Sequence, residues 1–321
     1  MTTVELATAK KRVLSYRVRG SGESLILIHG LGSSGADWEA QVRALERRFR
    51  VIIPDLPGTG SSTPLPAGFS IADIAATLWL FLDQLGVTRT NIAGFSLGGA
   101  VGLEMALQRP DAVARLGLIN SLVTYRIDHW RKWLEARLPP ILICLLGIKR
   151  AARFAAARLF PENWQKPLRE RCSEVMSRVS AETYLGMARA LEHWSATDRL
   201  SDLRAKTLLI AAEHDFTPLV EKVAMAKLLG AQIAVVHGSR HGTPFDAMVA
   251  TNSCLLALFT DQPLAASHRW MRDGAVRGKR MARLVKRFVE ERTALRQLEF
   301  TSQREFGSQV TGEHGLIPRT P

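Results

Sequence analysis

Apolar and polar positions along this chain follow two different periods. Continuous apolar runs, typical of strands buried on both faces, occur at residues 24–28, 51–53, 91–95, 116–119, 207–210 and 233–236. Helical spacing of apolar residues occurs at 36–49, 71–85 and 97–108, where Ser70 is the predicted N-cap of the second segment and Pro110 ends the third. Residues 4–18 alternate as expected for a hairpin, which we predict to close at 20–22. Buried strands that alternate with helices predict an α/β fold with a doubly wound, mostly parallel sheet.

Residues 125–200 contain no strand pattern and are predicted to be helical. Because the segment lies between two predicted strands, we interpret it as a helical lid inserted into the sheet domain. The predicted layout is an α/β core in two parts, 1–124 and 201–260, with the lid at 125–200 and a basic helical extension and tail at 261–321.

The composition of the 321 residues, 46% hydrophobic and 23% charged, is ordinary for a globular protein. Three cysteines, Cys144, Cys172 and Cys254, match no zinc or redox spacing, suit a reducing compartment and are interpreted as small buried hydrophobes. The start of the chain has no apolar run of signal-peptide length, and no stretch approaches the roughly 20 apolar residues of a membrane span. We therefore expect a cytoplasmic protein that is not integral to a membrane.

The segment around Ser96 carries the candidate nucleophile. Residues 94–98 fit the pattern G-x-S-x-G, between a predicted strand and a predicted helix. A serine on such a sharp turn has a strained backbone, and only glycine avoids collisions two residues to either side. The helix that starts after Ser96 would favour negative charge close to the hydroxyl.

A serine nucleophile needs a base, and the base needs an acid that orients it. Asp215 follows the predicted strand at 207–210, and His241 follows the one at 233–236, so that both lie at the carboxyl edge of the sheet with Ser96. Other side chains near these loops are rivals for the acid and the base: Glu213, Asp202, His214 and His237. The order serine, aspartate, histidine is the one expected for a nucleophile on a strand-to-helix turn.

Five motifs in this order resemble those of the α/β-hydrolase family. They are the oxyanion loop at 29–32, a D-x-x-G-x-G-x-S turn at 55–61, the nucleophile turn at 94–98, Asp215 with Pro218, and His241 with Asp246. The resemblance covers about 12–124 and 202–259. It implies that Ser96 attacks a carbonyl, that His241 takes and returns the proton, and that Asp215 holds the imidazolium. It also implies that the backbone N–H groups of Leu31 and Leu97 hold the oxyanion.

The resemblance leaves other polar residues with bracing roles. We favour His29 as a residue that supports the loop of Leu31, and Asp55 as a residue that supports its own turn. Asn120 follows the strand after which some relatives carry the acid, and an amide cannot serve as that carboxylate. Since no aspartate occupies position 96, chemistry that uses a carboxylate nucleophile is disfavoured. No metal-ligand spacing and no phosphate-binding glycine motif after the first strand are present, so no cofactor or metal is expected.

The formal charge of +13 is concentrated in the predicted lid and tail. Basic residues of the lid are Arg131, Lys132, Arg137, Lys149, Arg150, Arg153, Arg158, Lys166, Arg169 and Arg171; those of the tail are Arg277, Lys279, Arg280, Arg283, Lys286 and Arg287. Apolar residues at helical spacing from Met281 to Val289 predict a basic amphipathic helix there. This helix could dock on the domain or attach the protein peripherally to an anionic membrane, whereas no nucleic acid is expected.

The lid also carries an apolar stretch at 138–146, and four tryptophans: Trp130, Trp133, Trp164 and Trp194. The stretch suggests an apolar roof over the site, while most of the tryptophans are interpreted as packing within the lid. We expect a hydrolase that cleaves carboxylic esters of low polarity. A lactonase or a carbon–carbon bond hydrolase would use the same triad, and a ligand-binding or membrane-surface protein on this fold is the alternative of another class.

Overall fold

In the part of the chain that the structure describes, eight strands form one sheet. The structure, a computed structural model, describes residues 2–6, 12–126 and 130–264, with 131–136 described through their backbone alone. The strands are β1 (Thr2–Leu6), β2 (Arg12–Arg19), β3 (Glu23–Ile28), β4 (Phe49–Pro54), β5 (Thr90–Phe95), β6 (Val113–Ile119), β7 (Lys206–Ala212) and β8 (Gln232–Val236). Their order across the sheet is β1-β2-β4-β3-β5-β6-β7-β8. Strand β2 is antiparallel to both of its neighbours, β1 and β4, and all other neighbouring pairs are parallel. The predicted fold class, a doubly wound and mostly parallel sheet, is confirmed.

Helices cover both faces of the sheet, which explains why the central strands are continuously apolar. The core helices are α1 (Glu39–Leu45), α2 (Ile71–Gln84), α3 (Leu97–Gln108), α8 (Leu219–Leu228), α9 (Thr243–Asp246) and α10 (Met248–Phe259). Buried residues of α2, α3 and α8 form one core cluster against the sheet, and those of α1 and α10 form a second. Every residue of β5 is buried, so the strand that leads to Ser96 is held from both sides.

Helix α2 begins as predicted, because Ser70 and Asp73 form a reciprocal capping box that satisfies two backbone N–H groups at its first turn. The helix predicted at 36–49 is shorter than expected. A 3₁₀ turn occupies Gly35–Trp38, α1 ends at Leu45, and Phe49 already pairs with Glu23 as the first residue of β4. Phe49 is buried in either reading, and apolar spacing alone did not distinguish the two.

The hairpin prediction at 4–18 is right in its strands and wrong in its turn. Strands β1 and β2 pair antiparallel, and the residues that join them, 7–11, lie outside the described part of the chain. The glycines at 20 and 22 instead make the tight connection from β2 to β3, where both have positive φ angles of 71° and 109°. A Cβ at Gly20 would lie 2.1 Å from the carbonyl oxygen of Glu46, so the turn needs glycine.

Four further helices lie between β6 and β7 in the chain. They are α4 (Trp130–Leu146), α5 (Ile148–Leu159), α6 (Lys166–Ser177) and α7 (Ala181–Glu192), and together they are called the helical insertion below. Pro139 and Pro140 lie inside α4, which continues through them. None of the helices in the described ranges is both long and apolar enough to cross a bilayer.

The cysteines differ in burial. Cys254 is buried and Cys172 is partly buried, whereas Cys144 is exposed on α4, so the interpretation of all three as buried hydrophobes is wrong for Cys144. Burial raises the pKa of Cys254 to about 11. The predicted amphipathic helix with Met281 and Val289, and the remaining basic tail, lie outside the described residues.

Candidate active site

Ser96 lies on a sharp turn between β5 and α3. Its φ and ψ angles are 53° and −119°, a combination that side chains rarely adopt. The glycines two residues away are required by close backbone contacts. A Cβ at Gly94 would lie 2.2 Å from the carbonyl oxygen of Gly98, and one at Gly98 would lie 2.1 Å from that of Ile28. The predicted reason for the glycines at 94 and 98 therefore agrees with the packing.

The structure brings Ser96, His241 and Asp215 together. The Nε2 atom of His241 lies 3.0 Å from the Oγ atom of Ser96, and its Nδ1 atom lies 2.6 Å from the Oδ1 atom of Asp215. Asp215 follows β7 and its side chain is fully buried, whereas the imidazole of His241, which follows β8, is 17% exposed. With Nδ1 protonated, Nε2 is free to accept the hydroxyl proton of Ser96, so the geometry suits proton transfer from serine to histidine.

Two aromatic rings flank the imidazole of His241. The ring of Phe216 stacks on it at a centroid distance of 5.0 Å, and the ring of Phe95 lies tilted at 5.2 Å. These rings limit the rotation of the imidazole, and Phe95 and Phe216 also line the cavity next to it. Phe216 was not singled out from the sequence, although its position directly after Asp215 places it in the acid loop.

Asp215 receives hydrogen bonds on both carboxylate oxygens. Its Oδ1 atom also accepts the backbone N–H of Phe216 at 2.6 Å, and its Oδ2 atom accepts from the ammonium group of Lys222. Burial acts to raise the pKa of Asp215, but the contacts with His241 and Lys222 outweigh it and lower the pKa to about 2. Asp215 is therefore ionised at neutral pH.

Asn120 joins the loops that carry the acid and the base. Its amide nitrogen donates to the backbone oxygen of His241 at 2.8 Å and to the hydroxyl of Thr243 at 2.7 Å. Its Oδ1 atom accepts the backbone N–H of Ala212, at the end of β7, at 2.7 Å. Asn120 has a positive φ of 47°, which asparagine tolerates better than most residues. An amide thus links three strand ends where a carboxylate acid lies in some relatives.

Asp246, part of the predicted base-loop motif, closes the loop of His241 from within. Its Oδ1 atom accepts the hydroxyl of Ser239 at 2.6 Å, and its Oδ2 atom accepts the backbone N–H of Arg240 at 3.3 Å. Burial raises the pKa of Asp246 despite these bonds. Its contacts identify it as a residue that shapes the loop of His241 through Ser239 and Arg240.

Leu31 and Leu97, the predicted oxyanion donors, follow two neighbouring strands of the sheet. Leu31 follows β3, the neighbour of β5 in the sheet, and Leu97 is the first residue of α3, directly after Ser96. Within the described ranges neither backbone N–H donates to a protein acceptor. Two donors at the N-terminus of a helix and in the adjacent loop suit the binding of a developing oxyanion.

His29 and Asp55 both brace backbone loops, but Asp55 holds the loop of Leu31 and not its own turn, as had been favoured for it. The Nε2 atom of His29 accepts the backbone N–H of Leu56 at 3.0 Å and its Nδ1 atom lies 2.9 Å from the oxygen of Gly30, which requires the Nδ1–H tautomer. Burial lowers the pKa of His29, in agreement with a neutral ring. Asp55 accepts the backbone N–H of Gly35 at 2.8 Å. Both side chains are buried and hold the loop of Leu31 against the loop that begins at Asp55.

The rival acids and bases pair with one another. Glu213 lies 3.3 Å from the Nδ1 atom of His237 and 3.7 Å from the Nε2 atom of His214, and it accepts the backbone N–H of Gly238. This last bond, more than the two imidazoles, lowers the pKa of Glu213 against the opposing effect of burial. Asp202 is exposed at the end of a 3₁₀ turn that precedes β7. The structure brings neither Glu213 nor Asp202 to His241.

A cavity of about 250 Å³ opens next to Ser96 and His241. Most of its wall is apolar and comes from the helical insertion, through Leu138, Leu142, Ile143, Ala155, Phe160 and Met176. The stretch at 138–146 thus lines the cavity as expected of a roof. The tryptophans differ from their interpretation: Trp130 and Trp164 are exposed, and Trp194 lies in the main core, where its indole N–H donates to Glu104. The side chain of Trp133 lies outside the described part.

Two arginines of the predicted lid reach the cavity. Arg171 pairs with Asp37 at 3.3 Å and donates to the backbone oxygen of Ala36. The guanidinium of Arg158 lies 4.9 Å from the ring centroid of Phe216, a cation–π contact. Both cations are thus engaged with protein groups at the cavity wall. Among the described residues no cluster of histidine, cysteine, aspartate or glutamate could hold a metal ion.

Comparisons with known proteins concern the fold of this chain. A family model described as the alpha/beta hydrolase fold matches residues 23–229. A RutD protein of Stutzerimonas stutzeri, assigned provisionally as a carbamate hydrolase, is 30% identical over 260 residues, which cover 78% of this chain and 96% of the relative. The RutD protein of Variovorax paradoxus, with the same provisional assignment, is 34% identical over 218 residues, 63% of this chain and 78% of its own. The crystal structure of a hydrolase from Pseudomonas aeruginosa is 25% identical with a TM-score of 0.70, covering 80% of this chain and 98% of that one.

Proposed function

Because this chain belongs to the α/β-hydrolase family, we propose that it is a serine hydrolase that cleaves carboxylic esters through a covalent acyl-enzyme. The observation that carries the proposal is the continuous contact from Ser96 to His241 at 3.0 Å and from His241 to Asp215 at 2.6 Å, at the mouth of an apolar cavity. Structural bracing alone would not require a serine with a strained backbone next to an imidazole whose other nitrogen contacts a buried carboxylate.

In the first half of the reaction, the Oγ atom of Ser96 attacks the ester carbonyl and its proton passes to the Nε2 atom of His241. The carbonyl oxygen gains negative charge, which the backbone N–H groups of Leu31 and Leu97 stabilise; removal of one such donor typically costs about 10²–10³ in rate. The imidazolium, held by ionised Asp215, then donates its proton to the leaving alcohol. Water repeats the sequence on the acyl-enzyme, which releases the carboxylic acid and restores Ser96.

The cavity supports a substrate of low polarity and modest size. At about 250 Å³ it lies just below the range of typical small-molecule sites, about 300–1,000 Å³. Its apolar wall contributes binding energy of roughly 0.8 kcal/mol for each methylene group that it buries. Because most of this wall belongs to the helical insertion, we propose that the insertion acts as a lid and selects the substrate.

Carbamates are a second candidate class, and the observation that favours them is the similarity to the RutD proteins of 30% and 34% identity. A carbamate presents a carbonyl that the same serine could attack, with a leaving group that the same imidazole could protonate. Lactones and the carbon–carbon bonds of acyl compounds remain open for the same reason.

The discriminating experiment is a substrate panel assayed with the wild type and with Ser96→Ala. The panel holds p-nitrophenyl acetate, butyrate and octanoate, a p-nitrophenyl carbamate and an aliphatic lactone. We expect the wild type to hydrolyse p-nitrophenyl butyrate, and we expect Ser96→Ala to be at least about 10³-fold slower, since loss of a triad member removes most of the rate enhancement. The matched control is Ser34→Ala, since the hydroxyl of Ser34 caps no backbone group. Equal turnover by the wild type and Ser96→Ala refutes the proposal, and no turnover of any member favours a binding role on this fold.

A further inference from the structure

A lysine is buried behind the acid of the triad. Lys222 lies on α8, seven residues after Asp215, and its side chain is fully buried. Its ammonium group contacts the Oδ2 atom of Asp215 and donates to the Oδ1 atom of Asn120 at 3.0 Å. Lysine is almost never fully buried unless its charge is paired, so this position calls for an explanation.

Packing of α8 does not supply that explanation. Met225 and Ala226 lie on the same face of the helix and bury apolar side chains in the core, and an apolar residue at 222 would continue that face. Desolvation of an ammonium group costs several kcal/mol, which an apolar side chain would avoid. Lys222 is therefore present in spite of the desolvation cost of its ammonium group, and this group contacts Asp215, the acid of the triad.

The two carboxylate oxygens of Asp215 contact different groups. Its Oδ1 atom faces the imidazole and accepts the backbone N–H of Phe216, while its Oδ2 atom faces Lys222. Lys222 also reaches Asn120, whose amide group holds the backbone of His241 at 2.8 Å. One ammonium group therefore connects the acid loop to the residue that fixes the base loop.

We propose that Lys222 is a positioning residue of the triad: its buried ammonium group holds Asp215 so that Oδ1 faces the imidazole, and its positive charge offsets part of the negative charge that Asp215 presents to His241. This inference rests on the proposed function, since it assigns a role within the same triad. The charge acts in a definite direction. Asp215 alone would stabilise the imidazolium fully, and the neighbouring cation cancels part of that stabilisation.

In the described part of the chain, the charged groups that act on Asp215 are His241 and Lys222. Tyr125 is a further titratable group, on whose ionisation Asp215 acts. Burial raises the pKa of Tyr125 to about 12, so its hydroxyl stays neutral over the assay range. The contact with Asp215 acts to raise the pKa of Lys222, although burial has the larger effect and lowers it. The main change produced by a neutral residue at 222 is thus the loss of one positive charge beside Asp215.

The test compares Lys222→Met, which removes the charge and the hydrogen bonds, with Lys222→Gln, which removes the charge but keeps a donor. The matched control is Lys227→Met, an exposed lysine on the same helix. For each protein, kcat/KM for p-nitrophenyl butyrate and the rate of phosphorylation by diethyl p-nitrophenyl phosphate are measured from pH 5 to pH 10. The acid limb of kcat/KM reports the ionisation of the essential base in the free enzyme.

For Lys222→Gln we expect the acid limb to move to higher pH by about one unit, because the imidazolium is then stabilised by an uncancelled carboxylate. Its rate should fall about tenfold at the pH values below the limb and stay within about threefold of wild type at pH 9. Lys222→Met should show the same shift with a lower alkaline plateau, since Asp215 also loses orientation. Lys227→Met should match the wild type.

A loss that is uniform across pH, with an unmoved acid limb in Lys222→Gln, would overturn the proposal and leave Lys222 as a structural residue. If neither variant folds, reductive methylation of the folded wild type tests the geometry: Lys227 should be modified and Lys222 spared, and modification of Lys222 would overturn the proposal. The two proposals fail separately. Undiminished turnover by Ser96→Ala removes the proposed function, whereas an unmoved limb in a Ser96-dependent enzyme removes only the role of Lys222.

Discussion

The backbone at Ser96 should store strain that a single pair of substitutions can measure. Its φ of 53° and ψ of −119° match the first central residue of a type II′ turn, a conformation that glycine adopts without cost. Ser96→Ala keeps the Cβ atom and its strain, whereas Ser96→Gly removes both. Since both variants lose the hydroxyl, the difference between their free energies of unfolding reports the effect of the backbone conformation.

The magnitude follows from two opposing effects. A residue held in a sparsely populated φ and ψ region lowers the free energy of unfolding by about 1–3 kcal/mol, which Ser96→Gly avoids. Glycine itself lowers the free energy of unfolding by about 0.5–1 kcal/mol relative to alanine, because it gives the unfolded chain more freedom. From the middle of each range, Ser96→Gly should be more stable than Ser96→Ala by about 1.2 kcal/mol. With an m value of about 3 kcal/mol/M, the urea midpoint should rise by roughly 0.4 M.

The assay is equilibrium unfolding in urea, followed by tryptophan fluorescence, on both variants. The control is the same pair at Ser34, whose φ is −148° and whose hydroxyl caps no backbone group. There the order should reverse, with Ser34→Gly less stable than Ser34→Ala by about 0.5–1 kcal/mol. If Ser96→Gly unfolds at the same urea concentration as Ser96→Ala, or at a lower one, the turn is not strained and this reasoning is wrong.

Three further predictions concern packing, charge and the cavity. Gly98→Ala should destabilise the protein by at least about 3 kcal/mol, because its Cβ would lie 2.1 Å from a backbone oxygen. The control Gly186→Ala should unfold near the wild-type midpoint, because its Cβ would meet only the movable ring of Phe69. Arg199→Met should cost about 1–2 kcal/mol at pH 7 in urea unfolding, because Arg199 pairs with the buried carboxylate of Glu104 at 2.6 Å but is itself 43% exposed. Burial opposes ionisation of Glu104, but Arg199 and Trp194 outweigh it and lower its pKa from 4.5, so this cost should shrink as pH falls below that value; a cost that grows in acid would contradict the pairing. Ala155→Trp, which fills part of the cavity, should lower kcat/KM for p-nitrophenyl octanoate at least about tenfold more than for the acetate, while Ala157→Trp on the exposed face of α5 should leave the ratio unchanged.

Much of the fold could be predicted because its signals are local. Buried parallel strands are continuous apolar runs, the helix after Ser96 begins at a glycine-flanked turn, and Ser70 caps α2 with Asp73. The boundaries that failed depend on pairing between distant residues. Phe49 fits a helical spacing with Leu45, but its pairing with Glu23 places it in a strand. Trp194 lies in the main core because Glu104, ninety residues earlier, accepts its indole N–H.

Within the candidate site, the serine, histidine and aspartate could be found from the sequence because each has a loop motif of its own. Lys222 could not, because no motif marks it and only the register of α8 places its side chain inward. Asn120 was recognised only as a residue that cannot be the acid. Its contacts with His241, Ala212 and Lys222 come from three separate segments, and no pattern within one segment predicts them.

Covalent trapping shows whether the hydroxyl of Ser96 becomes a nucleophile through His241. The wild type is treated with diethyl p-nitrophenyl phosphate, and the adduct is counted by intact mass and located by peptide mass spectrometry. We expect one diethylphosphoryl group per chain, on Ser96, with labelling at least about 10³-fold slower in His241→Ala. An adduct on another residue with Ser96 unmodified, or labelling of Ser96 at the wild-type rate in His241→Ala, would contradict it.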